Sequence, residues 1–349
     1  MLEHSEAKRP RGPRGLVVPA ALAAAVLLTM ALSLSRGRQE IPLETAARLV
    51  WLKIVSAEIP PDLRQAETIL FFIRLPRIAL SFLVGASLSV SGAAFQALFR
   101  NPLVAPDILG VSGGAGVGAT LAIMLGCGSA LLHLAAFSCG LGAVALILAA
   151  ARLLDKNSSL LVLLLTGMVV SSLFSALGSL LKYLSSDELV LTSMVLWLMG
   201  SFAHAGSWPN VGLATLAAVL GVVPLRLARW SVDALAFGEE DARALGVDHR
   251  RLRLLLVVCA TLLTASSVAL CGLVGWVGLI VPHLARLLVG PNFGRLLPAA
   301  ALGGGWFMLL ADFLIRVVLP GEMPVGVVTA LVGAPIFVYV LGAGRNKWS

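Results

Sequence analysis

The amino-acid sequence predicts an all-α integral membrane protein with ten transmembrane helices. Hydrophobic residues make up 58% of the 349 residues and charged residues only 13%, whereas soluble globular domains have about 45–50% and about 25%. The apolar residues form long runs, and about 20 consecutive apolar residues cross the hydrocarbon core as a helix. We therefore expect a single membrane-spanning domain over residues 1–349.

Ten apolar runs, separated by polar residues, proline and glycine, are the predicted spans. They cover residues 16–35, 78–98, 108–126, 129–151, 160–183, 209–226, 254–274, 277–290, 297–318 and 325–343. The run at 277–290 is short for a full crossing. The first run follows several basic residues and so resembles a signal peptide, but its length and the lack of a clear small-residue cleavage site favour a transmembrane helix.

The distribution of basic residues predicts the orientation. With ten spans both termini share one side, and the positive-inside rule favours the cytoplasm for both. The basic tail 1–15 and the connection 227–253 are then cytoplasmic. The connection 36–77 is then external, and it is an exception to the rule because it holds seven basic residues against five acidic ones.

The remaining composition argues against several function classes. Although the net charge is +8, the basic residues lie in short interruptions rather than on one face, so no nucleic-acid partner is expected. The four cysteines lie within apolar runs without a CxxC spacing, as expected of buried hydrophobic residues.

An ion-driven secondary transporter would need several acidic residues inside its spans, and Asp312 alone lies well inside one. A membrane enzyme would need a cluster of His, Asp, Glu or Cys residues, and none is visible.

Several ordered motifs resemble one family. They are RLPR at 74–77, SGAAFQALFRNPLVAPDILGVSGGAG at 91–116, LLLTG at 163–167, WLMGSF at 197–202, FGEEDARALGV at 237–247, GLVGWVGLIVPHLAR at 272–286, LLPAAALGG at 296–304, LADFLIR at 310–316 and EMPVGVVTALVGAPIF at 322–337. In order and spacing the chain resembles the FecCD permeases, the membrane subunits of type II ABC importers for iron siderophores, haem and cobalamin.

The resemblance implies a cobalamin-importer-permease-like bundle with ten transmembrane helices per subunit. It implies a homodimer in the bacterial cytoplasmic (inner) membrane, with a pathway lined mainly by the fifth and tenth helices. Two ATP-binding subunits would dock inside, and a periplasmic or lipid-anchored substrate-binding protein would dock outside. The sequence contains no GxxxxGK[ST] phosphate loop, so ATP and Mg would be bound by the partner subunit, and no catalytic residue, metal or cofactor is expected here.

The resemblance also implies that the connection 227–253 carries a coupling helix that contacts the ATPase. Residues Glu239 to Asp241 open a predicted short helix, where its dipole favours anions, and Gly246 can close it in a left-handed conformation. On this pattern alone, a surface helix without a partner is the alternative. The candidate coupling residues are Ala234, Phe237, Gly238, Glu239, Glu240, Arg243, Leu245 and Gly246, with Phe237 and Leu245 as apolar anchors.

Three arginines match positions through which the cobalamin importer's permease contacts its binding protein. These are Arg74, Arg77 and Arg316, and a guanidinium group can bind a partner carboxylate in bidentate fashion. Arg316 has a second interpretation, because Asp312 lies four residues earlier on the same predicted helix and can pair with it.

The resemblance places a cytoplasmic gate at the turn Asn101, Pro102 and Leu103, where Pro102 stiffens the chain. A plain interhelical turn is the alternative. A second constriction is expected near Asp155 to Ser159, although the residue match there is poor.

The histidines and glycines invite other roles. His133, His204 and His283 fit hydrogen-bonded structure better than haem ligation, and only His204 lies where incoming haem would meet it. The glycines at 272, 275 and 278 fit a tight turn better than a phosphate site.

The cargo is expected to be an iron chelate (siderophore or haem) or cobalamin, with a small oxyanion such as molybdate as the alternative. The predicted pathway helices are small and aliphatic and do not select among these.

Overall fold

The computed structural model describes residues 14–37, 39–155, 160–203, 205–318 and 323–344. All regular structure in these ranges is helical. The helices are α1 (Arg14–Ser35), α2 (Leu43–Ile54), α3 (Arg64–Thr68), α4 (Leu75–Leu98), α5 (Val111–Met124), α6 (Ser129–Leu154), α7 (Leu160–Leu184), α8 (Glu188–Leu198), α9 (Trp208–Leu227), α10 (Arg229–Leu235), α11 (Glu239–Ala244), α12 (His249–Cys271), α13 (Val277–Val289), α14 (Phe293–Val317) and α15 (Val325–Gly344).

Each of the ten predicted spans coincides with a helix, which confirms the all-α membrane fold. Within the described residues, seven helical stretches are long and apolar enough to cross a bilayer. The helices at the third, eighth and tenth predicted spans are counted as shorter apolar helices instead, the first two with 14 and 13 residues. Helix length alone therefore supports seven crossings rather than ten.

The segment 36–77 differs from its prediction as a connection. It contains α2, and from Pro61 onward it is one helical stretch that reaches Leu98, including a π-helical turn at Ile69–Arg74. The reason is apolar packing: Leu49 of α2 and Leu70 of the π-helical turn are fully buried in one small core. The second apolar helix therefore begins well before residue 78.

Helix α8 was not predicted. It has 11 residues, too few to stand out as a span, and it lies beside the WLMGSF motif. Asp187 caps it by accepting a hydrogen bond from the Leu189 N–H at 2.8 Å. A side-chain cap of this kind satisfies one of the free N–H groups of a helix start.

The centre of the bundle is built from α4, α12 and α14. In α12, 72% of an apolar 18-residue stretch is buried inside the protein, whereas in α1 the corresponding share is 17%. Small residues bring the central helices together, because a Cβ on Gly85 of α4 would lie 2.2 Å from the Gly304 carbonyl oxygen of α14. Such close contacts replace the hydrophobic driving force that is absent in lipid.

The bundle has two ends that carry different features. The start of α4 meets the end of α14, where Arg77 contacts Asp312; this is called the arginine end. The start of α14 meets α9 and α10, where Asn292 contacts Asp233; this is called the loop end. Helices α4 and α14 are therefore antiparallel, and each extends between the two ends.

Adding a methyl group at Gly92 should destabilise the bundle. A Cβ there would lie 1.7 Å from the Gly278 carbonyl oxygen of α13, so α4 and α13 must separate. For Gly92→Ala we expect a loss of about 1–3 kcal/mol or more, measured as a lower unfolding midpoint in detergent. Gly142→Ala is the matched control, because nothing lies within 4 Å of a Cβ at that α6 position. Equal stability of the two variants would contradict the packing described here.

Candidate functional site

At the arginine end, one buried carboxylate holds two arginines. Asp312 Oδ1 accepts a hydrogen bond from Arg77 Nε at 2.8 Å, and Oδ2 accepts one from Arg316 Nε at 2.9 Å. The Asp312 side chain is 1% exposed, and the two arginine side chains are 10% and 12% exposed. Because an unpaired charge in such a place is costly, the Asp312 carboxylate stabilises both arginines in their buried positions.

The same cluster ties α1 to the core. Arg316 Nη1 donates to the Ser33 carbonyl oxygen at 3.4 Å, and Nη2 also contacts the Ser33 hydroxyl. Arg74, which is 5% exposed, donates to the carbonyl oxygens of Leu34 and Gln39. The arginines therefore add hydrogen bonds to a helix that also packs against the core through Val26 and Leu309.

These contacts bear on the three arginines that were predicted to dock a binding protein. The pairing of Arg316 with Asp312 is confirmed. The participation of Arg77 was missed, since 235 residues separate it from Asp312 and no local pattern joins them. All three guanidinium groups point into the protein rather than out of it. Their docking role stays a prediction, in which a partner carboxylate would have to share these groups with Asp312 and the backbone carbonyls.

At the loop end, the predicted coupling segment forms two short helices instead of one. Helix α11 begins at Glu239 as predicted, and Gly246 has the expected positive φ of 81°. Ala234 belongs to the preceding helix α10, because Gly238, with a φ of 130°, breaks the segment between them. A backbone with that φ is accessible to glycine and not to ordinary side chains.

The segment exposes Phe237, Glu240, Arg243 and Leu245, which were predicted as partner contacts. Ala234 was predicted with them, but it is buried in the core cluster and so cannot face a partner. Phe237 is 74% exposed and Leu245 is 53% exposed, although both are large and apolar. Glu240 and Arg243 are exposed beside them, and Arg243 Nε donates to His249 Nδ1 at 3.2 Å. Ala242 of the same helix is fully buried and fixes α11 to the core. Exposed apolar side chains next to charged ones are typical of an interaction surface.

A contact that the sequence did not predict attaches α10 to the start of α14. Asp233 Oδ1 accepts from the Phe293 N–H and Oδ2 accepts from Asn292 Nδ2, each at 2.7 Å. Arg226, at the end of α9, donates to the Gly294 carbonyl oxygen. Burial raises the pKa of Asp233, and the hydrogen bond from Phe293 lowers it in opposition.

Helix α12 starts at the same end with a capping aspartate. Asp248 Oδ1 accepts from the backbone N–H groups of Arg250 and Arg251. The hydrogen bond from Arg251 is the main reason that the pKa of Asp248 is lowered.

The predicted gate turn is a tight loop at the end of α4. Arg100 has a positive φ of 49°, and Asn101 Oδ1 accepts from the Leu103 N–H at 2.9 Å. Further along, Pro106 lies against α13, because a Cβ on Gly278 would meet the Pro106 ring at 2.3 Å. The loop thus enters the bundle between α4 and α13. Its role as a gate stays a prediction.

Three other predicted features lie outside the described residues. They are His204, residues 156–159 of the second constriction and the tail up to residue 13. Within the described ranges, no group of three His, Cys, Asp or Glu residues could hold a metal. The tight turn at 272 is supported, since Gly272 has a φ of 78° and a Cβ there would lie 2.2 Å from the Trp197 carbonyl oxygen.

The long apolar helices are those of a multi-pass membrane protein. Residues 21–343 match the FecCD transport family. The chain belongs to this family and is the permease of an ABC importer.

Three relatives illustrate the similarity. The molybdate import permease MolB of Haemophilus influenzae is 41% identical over 322 residues, covering 91% of this chain and 94% of the relative. The vitamin B12 import permease BtuC of Salmonella arizonae is 38% identical and covers 98% of both chains. A solved metal-chelate type ABC transporter in an inward-facing conformation has a TM-score of 0.83 at 38% identity, covering 94% of this chain and 99% of that one.

Removing the Asp312 carboxylate, which Arg77 and Arg316 share, should lower the free energy of unfolding. Asp312→Ala removes the carboxylate that both buried guanidinium groups contact, so we expect a loss of about 3–5 kcal/mol of unfolding free energy, measured by denaturant unfolding in detergent. Glu40→Ala is the control, because it breaks the Arg36–Glu40 pair, whose side chains are 59% and 71% exposed. Exposed pairs contribute little, so equal losses in the two variants would contradict the assignment.

Proposed function

We propose that the chain, as a homodimer, translocates an iron chelate (siderophore or haem) or cobalamin across the bacterial inner membrane. Separate ATPase subunits bind ATP and Mg and supply the energy, and a binding protein delivers the cargo. The observation that carries this proposal is the family match over residues 21–343, together with relatives named for these cargoes. These include a hemin transport permease of Yersinia pestis at 38% identity over 287 residues.

The loop end is proposed to face the cytoplasm and receive the ATPase, with both chain termini on that side. Two features support this orientation. The exposed Phe237 and Leu245 offer apolar anchors on a segment that is itself fixed to the core. Exposed arginines lie on α10, on α11 and at the adjoining ends of α9 and α12, as the positive-inside rule requires of a cytoplasmic surface: they are Arg226, Arg229, Arg243, Arg250 and Arg251.

The arginine end is proposed to face outward and receive the binding protein. Arg77 and Arg316 both contact Asp312 at this end, and guanidinium groups suit contact with the carboxylates of an acidic partner surface. Because the guanidinium groups are almost fully buried, we expect them to attract the binding protein mainly through their electrostatic field. Small side-chain rearrangements would allow direct contact. The turn Asn101 to Leu103 is proposed as a cytoplasmic gate, since it follows α4 at the loop end.

Molybdate is the second candidate cargo. The specific observation in its favour is the 41% identity to the Haemophilus influenzae permease, which is named for molybdate import. In either case we assign selectivity to the binding protein. Residues Leu163 to Ala176 of α7 and Val325 to Pro335 of α15 are mostly small and aliphatic and include no charged residue that would select one cargo class.

Reconstitution tests the proposal. Vesicles containing the permease and its ATPase subunits, with the binding protein outside and ATP inside, should accumulate radiolabelled cargo only when every component is present. Haem, a ferric siderophore, cobalamin and molybdate are compared in parallel, and a binding protein loaded with each in turn identifies the cargo. Equal accumulation by the permease alone, without ATP, would contradict the ATPase-driven mechanism. Accumulation of molybdate alone would select the second candidate.

A further inference from the structure

The exposed coupling segment is fastened to one particular helix of the core. Both carboxylate oxygens of Asp233 in α10 bond to the residues that begin α14: the Phe293 N–H and the Asn292 amide, each at 2.7 Å. The neighbours of Asp233 reinforce the attachment, because Val232 and Ala234 are buried in the same core cluster as Phe293. A displacement of α10 therefore reaches the first turn of α14 directly.

Helix α14 is suited to carry such a displacement through the bundle. Its 25 residues span about 37 Å, roughly the thickness of a bilayer. Along its length it contacts α4 backbone to backbone at Gly85 and Gly304. Near its other end Asp312 binds Arg77 of α4. One continuous helix thus joins the coupling segment to the arginine end.

The partner-facing half of the segment is joined to α10 through a glycine. Gly238, with a φ of 130°, separates α11 from α10. Helix α11 packs on the core through Ala242, and its Arg243 and the adjoining Leu245 are exposed. Directed hydrogen bonds to α14 come from the α10 side, through Asp233.

We propose that Asp233 is the positioning residue that transmits movement of the coupling segment to α14. The proposal rests on the proposed function and deepens it, since it names the contact through which ATPase closure would act on the membrane helices. Hydrogen bonds to a charged group are stronger and more directional than neutral ones. This suits a contact that must hold while the helices move.

Exchanging the two partners tests the contact with little change of shape. In Asp233→Asn, the new amide keeps an oxygen for the Phe293 N–H but turns its NH2 group toward the NH2 group of Asn292, so two donors meet. In Asn292→Asp, two carboxylates meet. In the double variant Asp233→Asn/Asn292→Asp, donors and acceptors match again. The carboxylate introduced at position 292 can still cap the Arg295 N–H, as the Asn292 side chain does at 3.2 Å.

The measurement is the number of cargo molecules imported per ATP hydrolysed, in vesicles with the complete importer. We expect each single variant to lower this ratio about tenfold, as fits the loss of one charged hydrogen bond. We expect the double variant to recover most of the ratio. Assembly with the ATPase and basal hydrolysis should stay unchanged, because positions 233 and 292 lie outside the exposed residues assigned to the partner, which are Phe237, Glu240, Arg243 and Leu245.

Two results would overturn the proposal. The first is a wild-type ratio in both single variants. The second is a double variant that regains the unfolding midpoint of wild type but not its ratio, because Asp233 would then only stabilise the fold. Failure of the proposed function itself is distinguishable, since the wild-type importer would then show no ATP-dependent uptake at all.

Discussion

The antiparallel contact between α4 and α14 holds the rest of the bundle in place. At Gly85 and Gly304 the two backbones approach so closely that neither position leaves room for a methyl group. Lipid provides no hydrophobic force between helices, so this contact depends on close packing and on polar bonds at the ends. The Arg77–Asp312 pair closes one end. At the other end, α14 begins against α10 and α9.

The polar contacts at the two ends fix the neighbouring elements. At the arginine end, Arg74 and Arg316 hold the carbonyl groups that terminate α1, which has little other burial. At the loop end, Asp233 holds the segment whose Phe237 is exposed. Charged groups are thus used where directed bonds are needed, and glycine where backbones meet. The same chain can therefore be rigid across the membrane and still present a separate surface at each end.

Much of the fold could be predicted from hydrophobic runs, because a span needs only length and apolar composition. The short helix α8 and the helical stretch from Pro61 could not, since one is too short and the other is interrupted by charged residues. Among the site contacts, Arg316 with Asp312 was predictable from a spacing of four residues. Arg77 with Asp312, and Asp233 with Asn292, join residues 235 and 59 positions apart and are set only by tertiary packing.

The central claim is that opposite ends of the bundle receive different partners. Its most direct test is site-specific photo-crosslinking in the assembled importer, with the reactive amino acid at Phe237 of the loop end or at Gln65 of the arginine end, both exposed. The account predicts that position 237 crosslinks the ATPase subunit and position 65 crosslinks the binding protein. Capture of the binding protein from position 237, or of the ATPase from position 65, would contradict it.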